Sequence, residues 1–136
     1  MIAPGLYSLG DFTVAGPATQ TAAPVVNLHG MAAATVQVRL AFGSGGESVK
    51  AYIQTSLDQG LTWIDIACVA LTTASATRIV NLSGLTPKTT PATPADGTLT
   101  DNTAVDGILG DRLRAKVVST GTYAGPTTLS VRAVAR

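Results

Sequence analysis

The chain has 136 residues, a length suited to one domain with one hydrophobic core, and its net charge of +1 argues against nucleic acid or an anionic membrane as partner. Only 12% of the residues are charged, against an ordinary fraction of about a quarter, while 46% are hydrophobic and 4% aromatic. The single cysteine, Cys68, excludes an internal disulfide framework and a cysteine-rich zinc site.

Apolar and polar residues alternate with a period of two in successive segments, and no segment shows a helical period. Glycine-rich turns separate the segments. In chain order we predict strands in residues 6–14, 25–28, 36–42, 49–54, 64–71, 78–82, 112–117 and 129–134. About eight short strands with one apolar face each must pack face to face. The prediction is an all-β fold: one antiparallel β-sandwich domain, Ig-like or jelly-roll-like, over residues 1–136.

The segment from residue 84 to residue 107 interrupts this pattern. It is rich in threonine and contains Pro87, Pro91 and Pro94, which cannot occupy a central strand and favour an extended backbone. A loop of about twenty residues is unusual in a compact domain. Two hypotheses follow, an arm that lies along a neighbouring subunit or a crossover loop between the two sheets.

A turn motif lies between the fourth and fifth predicted strands. Its defined residues are Ser56, Asp58, Gly60, Thr62 and Trp63. This pattern resembles the Asp-box, Ser-x-Asp-x-Gly-x-Thr-Trp, of sialidases and other β proteins, in which it is a folding element remote from the active site. The resemblance implies a tight hairpin that pairs residues 52–56 with residues 63–69, with the tryptophan returning to the core.

Basic residues alternate along the strand predicted at residues 112–117. Arg112, Arg114 and Lys116 are expected on one outer face, and Arg132 joins them if the last two long strands form a hairpin. Such a stripe is either a contact for an acidic protein surface or a solvated face. Together with Pro87, Pro91 and Pro94, these four residues are the candidate partner contacts.

Motifs for catalysis or metal binding are weak. His29 is the only histidine and has no serine at a signature spacing, while Cys68 lies in an apolar run that indicates a buried thiol. Carboxylates recur at every fifth position from Asp96 to Asp111, which leaves a bound calcium as an alternative to solvated turn residues. We predict no enzymatic activity, no catalytic residue, no cofactor and no metal.

Residues 52–67 and 110–125 resemble small β-rich virion proteins of tailed bacteriophages and prophages. The resemblance implies a non-enzymatic virion structural protein, a capsid decoration (cement) protein on the outside of the head. The alternatives are a neck or tail component and a glycan-binding β-sandwich module. The expected partners are the major capsid protein or neighbouring copies of the chain in a homo-oligomer, without nucleic acid or membrane. The chain shows no signal peptide, so assembly into the virion is expected in the host cytoplasm.

Overall fold

The computed structural model describes every residue from Met1 to Arg136 and contains strands but no helix. The strands in chain order are β1 (Gly5–Thr13), β2 (Ala18–Thr21), β3 (Ala33–Ala41), β4 (Ser44–Gly45), β5 (Ser48–Ser56), β6 (Ile64–Leu71), β7 (Ala76–Ser83), β8 (Thr103–Ala104), β9 (Arg112–Thr120), β10 (Tyr123–Ala124) and β11 (Thr128–Ala135).

Two antiparallel sheets account for nearly all of these strands. One has four strands in the order β1-β11-β3-β7, and the other has five in the order β2-β9-β5-β6-β8, while β4 pairs with β10 alone. The inner faces of both sheets contribute to a single hydrophobic core. The prediction of an all-β, antiparallel sandwich is therefore confirmed.

The period-two segments account for this core, because one face of each strand is apolar. In β3 and β9 a run of inward apolar side chains is at most 1% exposed: Val36, Val38, Leu40, Leu113, Ala115 and Val117. Residues 25–28, predicted as a strand, form an isolated bridge between Val25 and Leu113 and a hydrogen bond from the Leu28 amide to the Asp111 carbonyl, but no regular strand. The edge strand β2 was not predicted, since its sequence has no large apolar residue.

A bulge in the pairing of β5 with β6 determines which residues face outward. Ile53 pairs with Ala67, but the next residue, Gln54, pairs with Asp65, which leaves Ile66 as an extra residue. The extra residue reverses the alternation of β6. Ile66 and Ala67 are both buried in the core, and Asp65 shares the outer face with Gln54.

The loop between β7 and β9, residues 84–111, is a crossover between the two sheets, as one of the two hypotheses has it. It contains the short strand β8, which pairs with β6. The loop also contacts the outer face of the five-stranded sheet through side chains of β5, β6 and β9. Tyr52 and Cys68, on that outer face, are consequently buried.

Candidate functional site

The turn between β5 and β6 is held by its own side chains. Ser56 Oγ accepts a hydrogen bond from the Gly60 amide at 2.8 Å and donates one to Asp58 at 2.9 Å. The carboxylate of Asp58 accepts from the Thr62 amide at 2.8 Å and from the Thr62 hydroxyl at 2.5 Å. Gly60 has a φ of 91°, in the region that favours glycine. These contacts suit a rigid turn, and they leave Leu57 and Leu61 exposed at its tip.

Trp63 does not return to the core, contrary to the expectation. The side chain is half-buried on the outer face of the five-stranded sheet, and Arg114 lies over its ring with the guanidinium carbon 4.1 Å from the ring centre. The reason is the bulge at Ile66, which moves the residues preceding it in β6 to the opposite face. The tryptophan therefore contributes to a surface cluster with Arg114.

Beside this cluster lies a buried polar network. Gln54 is fully buried; its side-chain amide nitrogen donates to Asp65 at 2.8 Å and to Asp96 at 2.6 Å, and its oxygen accepts from Arg114 Nε at 2.8 Å. Burial lowers the pKa of Arg114 from its ordinary value. Each polar atom of the Gln54 amide thus has a partner, which is what a buried amide requires.

Asp65 anchors the second half of the loop. Its carboxylate is 2% exposed and accepts hydrogen bonds from the amides of Gly97, Thr98 and Leu99 at 2.9–3.1 Å. The amide of Asp65 in turn donates to the carbonyl of Ala95 at 2.7 Å. One carboxylate that accepts several amides holds the backbone in one position, so residues 95–107, the anchored segment, belong to the sandwich.

Further contacts fasten the anchored segment along its length. Asp96 accepts a hydrogen bond from Lys116 at 3.0 Å, and Asp101 forms an ion pair with Lys50 at 2.9 Å. Burial would raise the pKa of Asp96, but hydrogen bonds from Gln54 and Lys116 outweigh it and the pKa lies below its ordinary value. At the far end, Asp106 accepts from the Ser83 amide at 2.7 Å. An arm that spans all of residues 85–105 does not fit these bonds.

Residues 86–94, the open segment, differ from the anchored segment. They contain Pro87, Pro91 and Pro94, they are exposed, and none of them takes part in a backbone hydrogen bond. Between this segment and the end of the sandwich lies a groove of about 540 Å³. Most of its apolar lining comes from Leu57, Ile64, Leu99, Val105, Ile108 and Leu109. The volume falls within the range of about 300–1,000 Å³ that is usual for binding sites.

The basic candidate residues do not form one stripe. β9 and β11 belong to different sheets, so the hairpin on which Arg132 depended does not exist. Arg132 lies on the four-stranded sheet, where it forms an ion pair with Asp11 at 3.0 Å. Arg114 and Lys116 are engaged in the network, and Arg112 Nε lies 3.8 Å from the carboxylate of Asp111. Little of this charge is free to meet an acidic partner.

The remaining candidates are dispersed. His29 is exposed, and Cys68 is buried, as the apolar run predicted; burial raises the pKa of its thiol. The carboxylates at every fifth position each contact a different protein group, and no three His, Cys, Asp or Glu side chains are close enough to hold a metal ion. Tyr52 and Tyr123 are buried, so neither ring is open to stack on a glycan.

The groove and the exposed leucines of the turn beside it are the features that sequence reasoning missed. The only sequence features that indicated an exposed apolar surface were Leu57 and Leu61, two large apolar residues in an otherwise polar turn. Comparison with known proteins adds no name to this site: the chain matches no protein-family model, no curated protein and no solved structure. None of its segments forms a helix that is long and apolar enough to cross a membrane.

Proposed function

We propose that this chain is a non-enzymatic structural protein of a phage particle. It docks on other virion proteins at the outside of the head. The observation that carries the proposal is an apolar, charge-poor end of the sandwich, formed by the turn between β5 and β6 and by residues 84–95. We call it the docking end.

Large apolar side chains are exposed at the docking end. Leu57, Leu61 and Leu85 are 64%, 86% and 75% exposed, and Leu57 also lines the groove. Exposed apolar surface of this kind is typical of interaction sites. Burial of such side chains against a partner contributes about 25 cal/mol per Å² of apolar surface. The docking end therefore favours a protein partner with apolar side chains.

Charge is scarce at the same end. Residues 84–95 contain one charged residue, Lys88. In the turn, Thr62 already bonds to the carboxylate of Asp58, and Arg112 beside Gly60 lies 3.8 Å from the carboxylate of Asp111. Charged residues are depleted at the centres of protein interfaces, because their desolvation is costly. Binding through a contact of this composition depends little on salt concentration.

The open segment supports the same proposal. Its backbone groups have no partner within the chain, so they are free to bond to a neighbouring subunit. Pro87, Pro91 and Pro94 restrict the segment before binding, which lowers the entropy lost when it becomes ordered. The arm hypothesis is thereby narrowed from residues 85–105 to residues 86–94.

The decisive experiment measures how much of the chain sediments with particles. Purified particles produced with the tagged chain should retain it after a high-salt wash, in high copy number for a head protein and in low copy number for a neck or tail protein. Leu61→Asp combined with Leu85→Asp should abolish retention. Leu6→Asp, on a leucine that is 67% exposed on the four-stranded sheet, is the matched control and should be retained.

Two results would contradict the proposal. One is a folded wild-type chain that never sediments with particles. The other is equal loss of retention in the docking-end variant and in the Leu6 control. Binding of the isolated chain to a glycan array would support the glycan-binding alternative instead.

A further inference from the structure

The edge strands of the two sheets differ in how they are protected. In the five-stranded sheet, β2 has four residues and β8 has two. In the four-stranded sheet, β1 has a register shift at Gly10, where a Cβ would lie 2.8 Å from Ala22. Short edges and bulges of this kind prevent pairing with other chains. The other edge, β7, has eight residues, no register shift and no proline.

The backbone of β7 has a known orientation. The amide of Gly84 donates to Ala32, toward β3, whereas the amide and the carbonyl of Ser83 are bonded to Asp106 and Gly107 on the opposite side. Since direction alternates along a strand, Asn81, Ile79 and Thr77 also direct their N–H and C=O groups away from β3. These groups have no backbone partner; the Thr77 carbonyl accepts one hydrogen bond, from its neighbour Arg78 at 3.2 Å.

The outward N–H and C=O groups of β7 can form hydrogen bonds with the same groups of a second copy of the chain. When two β7 strands run antiparallel with Ile79 opposite Ile79, each Thr77 lies opposite an Asn81, and all three outward residues form hydrogen-bonded pairs. A shift of the register leaves at least one of them unpaired. Continuation beyond Asn81 is blocked, because Asp106 and Gly107 occupy the backbone of Ser83.

The side chains fit the same register. Ile79, 68% exposed on the outer face, meets its symmetry mate, and apolar cross-strand pairs of β-branched residues stabilise sheets. Arg78 is the only charged residue of β7, and it lies opposite Val80 rather than opposite a second Arg78. The register therefore avoids the repulsion of like charges placed opposite each other.

We propose that two copies of this chain pair through β7, so that their four-stranded sheets join into one continuous sheet across a two-fold axis at Ile79. This pairing does not rest on the proposed function. A single strand pair buries less surface than the roughly 1,200–2,000 Å² of stable interfaces. The dimer is accordingly weak in dilute solution and becomes populated where copies are concentrated, as on a shared surface.

The first test compares two substitutions of one residue by sedimentation equilibrium. The wild-type chain should show a monomer–dimer equilibrium at concentrations up to about 1 mM, the range of weak interfaces. Ile79→Pro should raise the dimer Kd at least about tenfold, because it removes an outward N–H and costs β3 no hydrogen bond. Ile79→Thr keeps the N–H and is the control; it should change the Kd by less than about threefold. Melting curves confirm that both variants fold.

The second test reads the register by oxidative cross-linking. Residues of a hydrogen-bonded pair have Cα atoms about 5.5 Å apart, within disulfide range. Ile79→Cys should cross-link to itself, and Asn81→Cys should cross-link with Thr77→Cys but not with itself. The wild-type chain, whose only cysteine is the buried Cys68, gives the background level of cross-linking.

Three results would overturn the pairing. The first is a wild-type chain that stays monomeric at about 1 mM, and the second is a dimer whose Kd is the same for Ile79→Pro and Ile79→Thr. The third is self-cross-linking of Asn81→Cys as fast as that of Ile79→Cys.

Discussion

The guanidinium of Arg114 covers one face of the Trp63 ring at 4.1 Å, and its Nε donates to the buried Gln54. One side chain thereby joins the half-buried tryptophan beyond the turn to the polar network beneath the loop. Because the ring is half-buried, its removal should cost less than the loss of a core tryptophan.

We expect Trp63→Ala to lower the free energy of unfolding by about 1–2 kcal/mol, from partial burial and the cation–π contact. A double-mutant cycle with Arg114→Ala should give a coupling of about 0.5–1 kcal/mol. Arg114→Ala also removes the hydrogen bond to Gln54. Both the single variant Arg114→Ala and the double variant lack this bond, so its contribution cancels in the cycle. Urea unfolding measures these values, and a loss of about 3–5 kcal/mol for Trp63→Ala would place the ring in the core after all.

Replacement of Asp65 should have a much larger effect. Asp65→Ala leaves the amides of residues 97–99 without their acceptor and leaves the Gln54 side chain with only Asp96, and we expect a loss of about 3–4 kcal/mol. Asp101→Ala, which removes a partly exposed ion pair with Lys50, is the control and should cost at most about 1 kcal/mol. Equal losses in urea unfolding would mean that Asp65 does not hold the loop.

Hydrogen exchange should divide the loop at residue 95. The amides of Gly97, Thr98 and Leu99 should exchange slowly in the free chain, because they bond to a buried carboxylate. The amides of Thr89, Thr90 and Thr93 should exchange at nearly unprotected rates, since they have no acceptor. Fast exchange of both groups would show that the anchored segment is not fastened in solution.

The turn between β5 and β6 should lose stability in acid. Hydrogen bonds from the hydroxyl and amide of Thr62 are the largest influences that lower the pKa of Asp58 from its ordinary value of 3.8. Because the pKa of Asp58 is lower in the folded than in the unfolded chain, its carboxylate stabilises the fold at pH values above 3.8. This contribution to stability is lost as the pH falls through the pKa of the folded state.

The Asp58 carboxyl can be titrated directly by NMR. Thr62→Val removes the strongest hydrogen bond to it and should shift its midpoint upward, toward 3.8. Thr89→Val, in the open segment, is the control and should leave the midpoint unchanged. An unchanged midpoint in Thr62→Val would show that the threonine hydroxyl does not stabilise the carboxylate.

The local alternation of apolar and polar residues was sufficient to predict the long strands, because each of them buries one face in the core. It predicted β3, β5, β9 and β11, whose inward and outward residues are mostly apolar and mostly polar, respectively. It did not predict which strands would pair. The turn after β9 leads into a different sheet, and for that reason Arg132 is separated from Arg114.

The candidate site was less predictable, since it depends on contacts between distant residues. The position of Trp63 depends on an extra residue, Ile66, which looks like any other apolar residue in the sequence. The polar network joins Gln54, Asp65 and Asp96, and no local pattern relates these three. A proline-rich segment predicts an exposed backbone, but the groove beneath it depends on how the crossover loop returns to the sheet.

The central strand β5 is covered on both faces, by the core on one side and by the loop on the other, and from Ala51 to Ser56 every residue is buried. Such a strand has no solvent-facing position at which chance replacements would be harmless. In homologous chains, divergence should therefore be smallest from Ala51 to Ser56 and largest in residues 86–94. A pattern built on β5 and Asp65 would identify distant relatives better than one built on Asp58, Gly60 and Thr62 of the turn, whose hydrogen bonds are local.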